Sequence, residues 1–407
     1  MLSAFRFPPS ALLTMPDLHS IDPRRICLIK PSAFGDVVQT LPLLPVLKER
    51  FPRAAVSWVV RAELRELLEG HPHLDEIIPF QRRGSWRESW RLLRELRRRR
   101  FDLVFDLQGL LRTAVMNFAT RAPMRVGLET AREGAQWACH LTLPDTGRLV
   151  PAHLRYWRVA EALGLGDRRR ETIVHTSADD HLWAGEQLAP LRSRGARNER
   201  GRQKAESGKE INEGASSAFR LPPSAVSSAP VLAVHPGARW ATKRWPVERF
   251  AVVAARAARR YGFGTVILGG KDETVTAGKF EFLLRRFAPS SRCVNLAGKT
   301  TIKQLAAVLQ QADVLLSSDS GPMHLAAGLG RRVVGVFTCT DPLRSGPPID
   351  ANHETVTTSL PCRNCYKKHC PQRRERRLAC LDDITVNAVW TAFERLVERH
   401  ARPHRAA

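Results

Sequence analysis

Four short stretches carry the residue types that chemistry on a phosphorylated substrate needs. In "LIKPSAFGDVVQTLP" (28–42) a strand-like run ends at Lys30, small residues turn the chain, and a helix-like pattern begins near Asp36. Gly35 permits a tight backbone, and Asp36 stands where a helix N-cap or a first-turn carboxylate would stand. Open α/β sheets bind ligands at their strand C-termini, so a carboxylate there is also placed to act as a general base. In "VHPGARWATKRWPVERF" (234–250) another strand ends in Pro-Gly, and Lys243 and Arg244 precede Trp245-Pro246, with proline at its usual place in a helix start. A lysine beside the electropositive end of a helix suits phosphate; taken alone it is a solvated loop lysine.

The third stretch, "LGGKDE" (268–273), is a strand, a Gly-Gly turn and two carboxylates. Asp272 or Glu273 could accept hydrogen bonds from a ribose. The fourth, "DVLLSSDSGPMHLAAGLGRRVVGVF" (313–337), breaks a strand with hydroxyl residues and then opens a helix at Ser320, Gly321 and Pro322. The unpaired N–H groups of that helix start point past the strand end, and Gly321 lets a diphosphate come close to the backbone. Ser320 adds a hydroxyl donor, whereas Asp319, itself an anion, suits sugar hydroxyls. His324 either faces this site or is a satisfied buried histidine. Neither G-x-G-x-x-G nor a Walker lysine motif occurs, which speaks against dinucleotide oxidoreductases and P-loop enzymes.

A fifth cluster lies in "CRNCYKKHCPQRRERRLACL" (362–381), where Cys362, Cys365, Cys370 and Cys380 are spaced C-x2-C-x4-C-x9-C. Four close thiolates suit a structural zinc; reduced thiols and an iron–sulfur site are the other readings. The remaining four of the eight cysteines are scattered, a poor disulfide framework that suits a reducing cytoplasm.

The elements that must hold these residues alternate. Strand patterns at 25–30, 55–60, 101–107, 231–236, 264–270, 313–317 and 332–337 are interleaved with helix patterns at 37–50, 85–100, from Leu110, 247–261 and 301–311. Val-, Ile- and Leu-rich strands alternating with helices predict parallel sheets covered on both faces, and the pattern occurs twice. The expectation is an N-terminal extension at 1–24 that is disordered, a first domain at 25–191, a flexible linker insert at 192–230 and a second domain at 231–407. The insert is polar and rich in Gly, Ser and Pro, and "SAFRLPPSA" (217–225) nearly repeats "SAFRFPPSA" (3–11).

A chain of 407 residues with 43% apolar residues has ample core for two domains. No apolar run is long enough for a transmembrane helix, and the N-terminal prolines argue against a signal peptide. The net charge of +24 attracts nucleic acid, anionic membrane or acidic small molecules. Its densest run, Arg91 to Arg100, reads as the solvated face of an amphipathic helix whose leucines Leu92, Leu93 and Leu96 share the other side. No nucleic-acid-binding motif accompanies the charge, so no specific nucleic-acid partner is expected.

The motifs "KPSAFGDVVQTLPLLPVLKERFP", "DLVFDLQGLLRTA", "VHPGARWATKRWP" and "SDSGPMHLAAGLGRRVVGVF" occur in the order found in glycosyltransferase family nine, the ADP-heptose:lipopolysaccharide heptosyltransferases, and the chain resembles that family over roughly 25–400. The resemblance implies a GT-B architecture, two Rossmann-like doubly wound domains facing across a cleft. It implies Asp36 as general base with Lys30 as its cationic partner, and a donor site of Thr242, Lys243, Glu273, Asp319, Ser320, Gly321, Pro322 and His324, with Lys243 on the diphosphate and Glu273 on the ribose. One departure is Phe337-Thr338, where the family usually has Phe-Gly.

The reaction so implied needs one base and no acid, because ADP is already a good leaving group. No cofactor and no catalytic metal are expected; the donor is ADP-heptose. The acceptor implied is phosphorylated lipid A–Kdo at the inner face of the cytoplasmic membrane, with arginines docking it and the enzyme cytoplasmic and peripheral. Related sugar transfer, a sugar-nucleotide epimerase and a non-catalytic glycolipid-binding module are the rival readings. The motifs do not separate first, second and third heptosyltransferases.

Overall fold

The computed structural model describes Leu18, residues 20–193, 229–373 and 376–401. Among them are two six-stranded sheets in which every strand pair is parallel. The first runs β3-β2-β1-β4-β5-β6, from β1 (Arg25–Ile29), β2 (Ala55–Arg61), β3 (Glu76–Phe80), β4 (Leu103–Asp106), β5 (Met124–Leu128) and β6 (Leu141–Leu143). The second runs β12-β11-β10-β7-β8-β9, from β7 (Val231–His235), β8 (Gly264–Ile267), β9 (Cys293–Asn295), β10 (Val314–Ser318), β11 (Arg332–Phe337) and β12 (His353–Thr357). Counted from its own first strand, the second sheet repeats the order of the first. The order of connection reverses between β1 and β4 in one and between β7 and β10 in the other. These are the switch points at which doubly wound sheets open a crevice. Lys30 follows β1 and Asp319 follows β10, so the candidate residues sit at both.

Among the described residues the α-helices of seven residues or more are α1 (Phe34–Thr40), α2 (Leu43–Arg50), α3 (Trp86–Arg98), α4 (Leu111–Thr120), α5 (Ala152–Ala162) and α6 (Ala178–Arg192), followed by α7 (Val247–Tyr261), α8 (Thr274–Phe287), α9 (Ile302–Gln311), α10 (Gly321–Gly328) and α11 (Val386–Ala401). The sequence pattern predicts one helix over 37–50; the chain makes two, because Pro42 has no N–H to continue the first. Strands β7 and β10 are buried at every position, as a strand covered on both faces must be.

Two segment boundaries differ from the sequence expectation. Helix α6 packs against α9 and against β7, β8 and β9, so it stands with the second sheet and not with 25–191. The insert therefore leaves and re-enters one unit instead of joining two. Its described ends meet, with the Ala229 N–H donating to the Arg192 carbonyl at 3.0 Å; residues 194–228, with one copy of the repeated peptide, lie outside the described residues, as does the other copy at 3–11. Within the expected extension, Leu18 is buried in the first core.

The two units touch through paired helix starts. Glu66 of the first unit reaches the N-terminus of α9, accepting from the Ile302 and Lys303 N–H groups at 3.0 and 3.1 Å. That carboxylate satisfies two orphan donors and complements the helix dipole. Beside it, α1 packs on α10.

Candidate active site

A cleft of about 980 Å³ lies between the units, lined from the first sheet by Phe34, Asp36 and Gln39 and from the second by Lys243, Glu273 and Asp319. Ser320, Gly321, Pro322 and His324 also line it. Nearly all the residues singled out from four separate motifs thus converge on one space.

Asp36 sits in the first turn of α1, where its Oδ2 accepts from the Ala33 N–H at 3.0 Å. It is both a helix-start carboxylate and a cleft residue. Its Oδ1 accepts from the Tyr156 hydroxyl at 2.9 Å, and Lys30 Nζ stands 3.9 Å from Oδ2. Burial favours the neutral acid, but Lys30, the Ala33 N–H and the Tyr156 hydroxyl outweigh it and hold Asp36 below the ordinary carboxylate range. About a third of the side chain stays open to the cleft, so a substrate can reach it. Lys30 is buried behind it, its Nζ 4.7 Å from the Tyr156 ring centroid, and does not line the cleft. Burial lowers its pKa, and Asp36 and Asp106 oppose that shift.

On the opposite wall Lys243 Nζ donates to Asp319 Oδ2 at 2.6 Å and stands 4.9 Å from the Trp240 ring centroid. The Thr340 hydroxyl donates to the same Asp319 oxygen at 2.6 Å. Asp319 is thus already neutralised and pinned, leaving Oδ1 toward His324 Nε2 at 3.9 Å. His324 crosses the cleft floor to the first unit, with Gln39 Nε2 2.8 Å from its Nδ1. Its burial holds the imidazole below its ordinary pKa against the opposing charges of Asp319 and Asp36. Ser320 begins α10, and its hydroxyl lies 2.9 Å from that of Ser317.

Glu273 is held by the Gly270 N–H at 2.9 Å and by His235 Nε2 at 3.1 Å. Burial pushes it upward, but the hydrogen bond and charge of His235, then the Gly270 N–H and Arg244, bring it to about 2. A β-carbon at Gly237 would lie 1.9 Å from Glu273 Oε1, so a larger residue there would displace the carboxylate from this position.

Thr242 departs from the expectation. Its hydroxyl is buried and donates to the Lys367 carbonyl at 2.7 Å, away from the cleft. The Phe337-Thr338 departure turns out to be structural: the Thr338 hydroxyl donates to the Thr242 carbonyl at 2.5 Å and ties the two loops together. Sequence reasoning missed Tyr156, Gln39, His235 and Thr340. Tyr156 lies on α5, in none of the quoted motifs, and only its place in three dimensions reveals it. His235 ends β7 and Thr340 follows β11, so both lie at strand C-termini, where ligand sites are expected.

The sequence pattern of glycosyltransferase family 9 (heptosyltransferase) matches residues 89–375. This chain belongs to glycosyltransferase family 9. Among its relatives, lipopolysaccharide core heptosyltransferase OpsX of Haemophilus influenzae is 24% identical over 332 residues, covering 80% of this chain and 82% of that protein. Lipopolysaccharide heptosyltransferase 1 of Pseudomonas aeruginosa is 27% identical over 381 residues, covering 87% and 90%. In three dimensions the E. coli ADP-heptose lipopolysaccharide heptosyltransferase II superposes with a TM-score of 0.67 at 21% identity, over 93% of this chain and all of that one. The two facing Rossmann-like units are the GT-B architecture, and as a member of family 9 the protein is a glycosyltransferase.

Cys380 is pushed up to about 11 by burial and by its neighbours Cys339, Cys362, Cys370 and Cys365. Yet no group of three or more His, Cys, Asp or Glu side chains among the described residues is placed to hold a metal ion, and the structural-zinc reading is not supported. The extra cysteine, Cys339 on the loop after β11, was not part of the expected set. Among the described residues no helix is long and apolar enough to cross a membrane.

Proposed function

We propose that this enzyme transfers heptose from ADP-heptose to the inner core of lipopolysaccharide, with Asp36 as general base. The observation that carries the reading is that Asp36, from one sheet, faces the Lys243–Asp319 pair, from the other, across a single cleft. The names of the curated relatives and the ADP-heptose enzyme of E. coli support the sugar and the core oligosaccharide.

The acceptor hydroxyl lies against Asp36 and gives up its proton to an Asp36 oxygen as its own oxygen bonds to the anomeric carbon. The bond from that carbon to the diphosphate oxygen breaks, and the electron pair leaves with ADP. Asp36 is a weak base while Lys30 and Tyr156 hold its charge; acceptor binding removes its remaining water and favours taking the proton. On the other side Lys243, which forms a salt bridge with Asp319, shares its charge with the diphosphate. The N–H groups opening α10 at Gly321 take part of the charge developing on the leaving phosphate. Glu273 accepts from the ribose hydroxyls, and Asp319 and His324 bound the sugar. The acceptor in this reading is phosphorylated lipid A–Kdo on the cytoplasmic face of the inner membrane, met by the exposed cleft-edge residues Arg82, Arg83 and Arg239.

The test is incubation of purified protein with ADP-heptose, with and without phosphorylated lipid A–Kdo. The reading expects ADP release only with acceptor, and an acceptor mass increased by one heptose. Sugar isomerisation, or ADP release independent of acceptor, would overturn it.

A further inference from the structure

Helices α3 and α4 pack side by side over one face of the first sheet and leave an apolar face of their own uncovered. On α3, Leu92 and Leu96 turn inward, while Trp86, Trp90 and Leu93 recur at helical spacing on another side. On α4, Thr113, Met116 and Asn117 are buried, while Leu111, Val115 and Phe118 make the outer stripe. Trp137, from the turn after β5, stands next to them. Trp86 is 71% exposed, Trp90 57%, Phe118 66% and Trp137 85%, whereas Trp58, Trp157 and Trp245 are fully buried. Three tryptophans and a phenylalanine held in water on one face are costly unless something covers them.

The surroundings say what kind of surface covers them. Trp90, Phe118 and Trp137 line a shallow depression of about 840 Å³ whose other walls include Arg94, Arg97 and Arg121. None of these three arginines makes an ion pair among the described residues, and neither does Arg87, whose guanidinium lies over the Trp86 ring. The carboxylates nearby are already engaged: Glu88 caps Ser85, Glu95 pairs with Arg99, and Glu133 accepts from the Leu111 N–H. The face therefore combines amphipathic aromatic rings with uncompensated positive charge. Aromatic rings of this kind settle at the headgroup level of a bilayer, and arginines around them bind anionic headgroups. A protein partner's apolar patch would match the rings but not the unpaired arginines.

We propose that the α3–α4 face docks the enzyme on an anionic lipid bilayer, with Trp86, Trp90, Phe118 and Trp137 entering the interface and Arg87, Arg94, Arg97 and Arg121 holding phosphate headgroups. Trp86, at the N-terminal end of α3, lies three residues after Arg83, which lines the cleft. The docking site is independent of the transferred sugar, though its use in catalysis rests on the lipid-linked acceptor proposed above.

The experiment is co-sedimentation of the full chain with phosphatidylcholine vesicles containing about 30 mol% phosphatidylglycerol, beside pure phosphatidylcholine vesicles. The wild type should partition onto the anionic vesicles alone, and raised salt should weaken that binding. The variant Trp90→Ser/Phe118→Ser/Trp137→Ser should lose about tenfold or more in partitioning, as should Arg94→Glu/Arg97→Glu, a change of exposed residues that keeps the fold if the first does not. ADP-heptose binding should be unchanged in both. Equal wild-type binding to neutral vesicles, or wild-type partitioning by both variants, would overturn the proposal. So would a wild-type dimer, seen by light scattering, that the triple variant dissolves, because the face would then be covered by a second copy. No acceptor or turnover enters the assay, so its failure is distinct from failure of the heptosyltransferase reading.

Discussion

Gly35 of the first unit lies directly against the imidazole of His324 of the second: a β-carbon on Gly35 would be 2.5 Å from His324 Cδ2. The contact is reciprocated one turn away, where a β-carbon on Gly321 would be 2.7 Å from Phe34 Cδ1. Two glycines, one at the start of each helix, let α1 and α10 meet across the cleft floor, and this sets the distance from Asp36 to Asp319. Gly35→Ala should therefore push His324 off Gln39 and lower turnover. Each unit should stay folded, at a stability cost of about 1–3 kcal/mol from overpacking. Normal turnover with an unchanged melting temperature would show that the floor yields without consequence.

For Asp36→Asn the expected outcome is a loss of roughly 10²–10⁴ in turnover with donor affinity little changed. Asparagine still accepts from the Ala33 N–H, so the start of α1 is kept and only the base is removed. Titration calorimetry with ADP beside single-turnover kinetics separates the two. Near-normal turnover would leave Asp36 as the helix cap that the first turn of α1 also makes it.

Lys243 and Asp319 share one hydrogen-bonded contact of 2.6 Å, and the carboxylate is buried. Lys243→Ala should weaken donor binding and slow turnover together. It should also destabilise the second unit, because Asp319 is left with Thr340 as its remaining close donor. A double-mutant cycle with Asp319→Asn should give a coupling energy of about 1–3 kcal/mol in unfolding. Additive effects would mean that the pair is not a unit, and unchanged donor affinity would remove Lys243 from the phosphate site.

The central strands and the four cleft motifs were legible because buried parallel strands read as apolar runs and their ends carry Gly, Ser and charge. The strands β3, β6, β9 and β12 lie at sheet edges: β3 carries Pro79, β6 and β9 have three residues, and β12 exposes Thr355 and Thr357, while the internal β5 is interrupted by Arg125 and Gly127, so no clean apolar run announces them. The packing of α6 on the second sheet was hidden by the insert that follows it, which looks like a domain linker wherever it falls. The arginine run in α3 was read as a solvated face, since composition counts charge but does not show which side Trp86 and Trp90 take. Tyr156 was out of reach for another reason: it lies 120 residues from Asp36 and only folding brings them together.

Glu273 gives a pH signature. Its folded pKa of about 2 lies below the ordinary 4.5, so it binds protons more weakly folded than unfolded. Its contribution to stability is complete above the unfolded value and is lost as pH falls through that range toward about 2. The wild type should therefore lose unfolding free energy more steeply than Glu273→Gln between those limits, as measured by denaturant melts across pH. Parallel pH profiles would show that His235 and the Gly270 N–H do not hold the carboxylate in solution.

Tyr156→Phe isolates the hydroxyl that donates to Asp36. The phenyl ring remains beneath Lys30 Nζ, so the cation–π contact and the packing survive; the hydroxyl's contact with Arg155 goes together with its 2.9 Å hydrogen bond to Asp36. That bond favours the charged carboxylate, and without it the pKa of Asp36 rises. If Asp36 is the base, the acid limb of the kcat/KM profile belongs to its protonation, and in the variant the limb should move to higher pH. Well above the limb, Asp36 is ionised in both proteins, and the difference in rate should be smaller than on the limb itself. An acid limb that does not move, in a variant that binds ADP-heptose normally, would assign the limb to another group and take Tyr156 out of the tuning of the base.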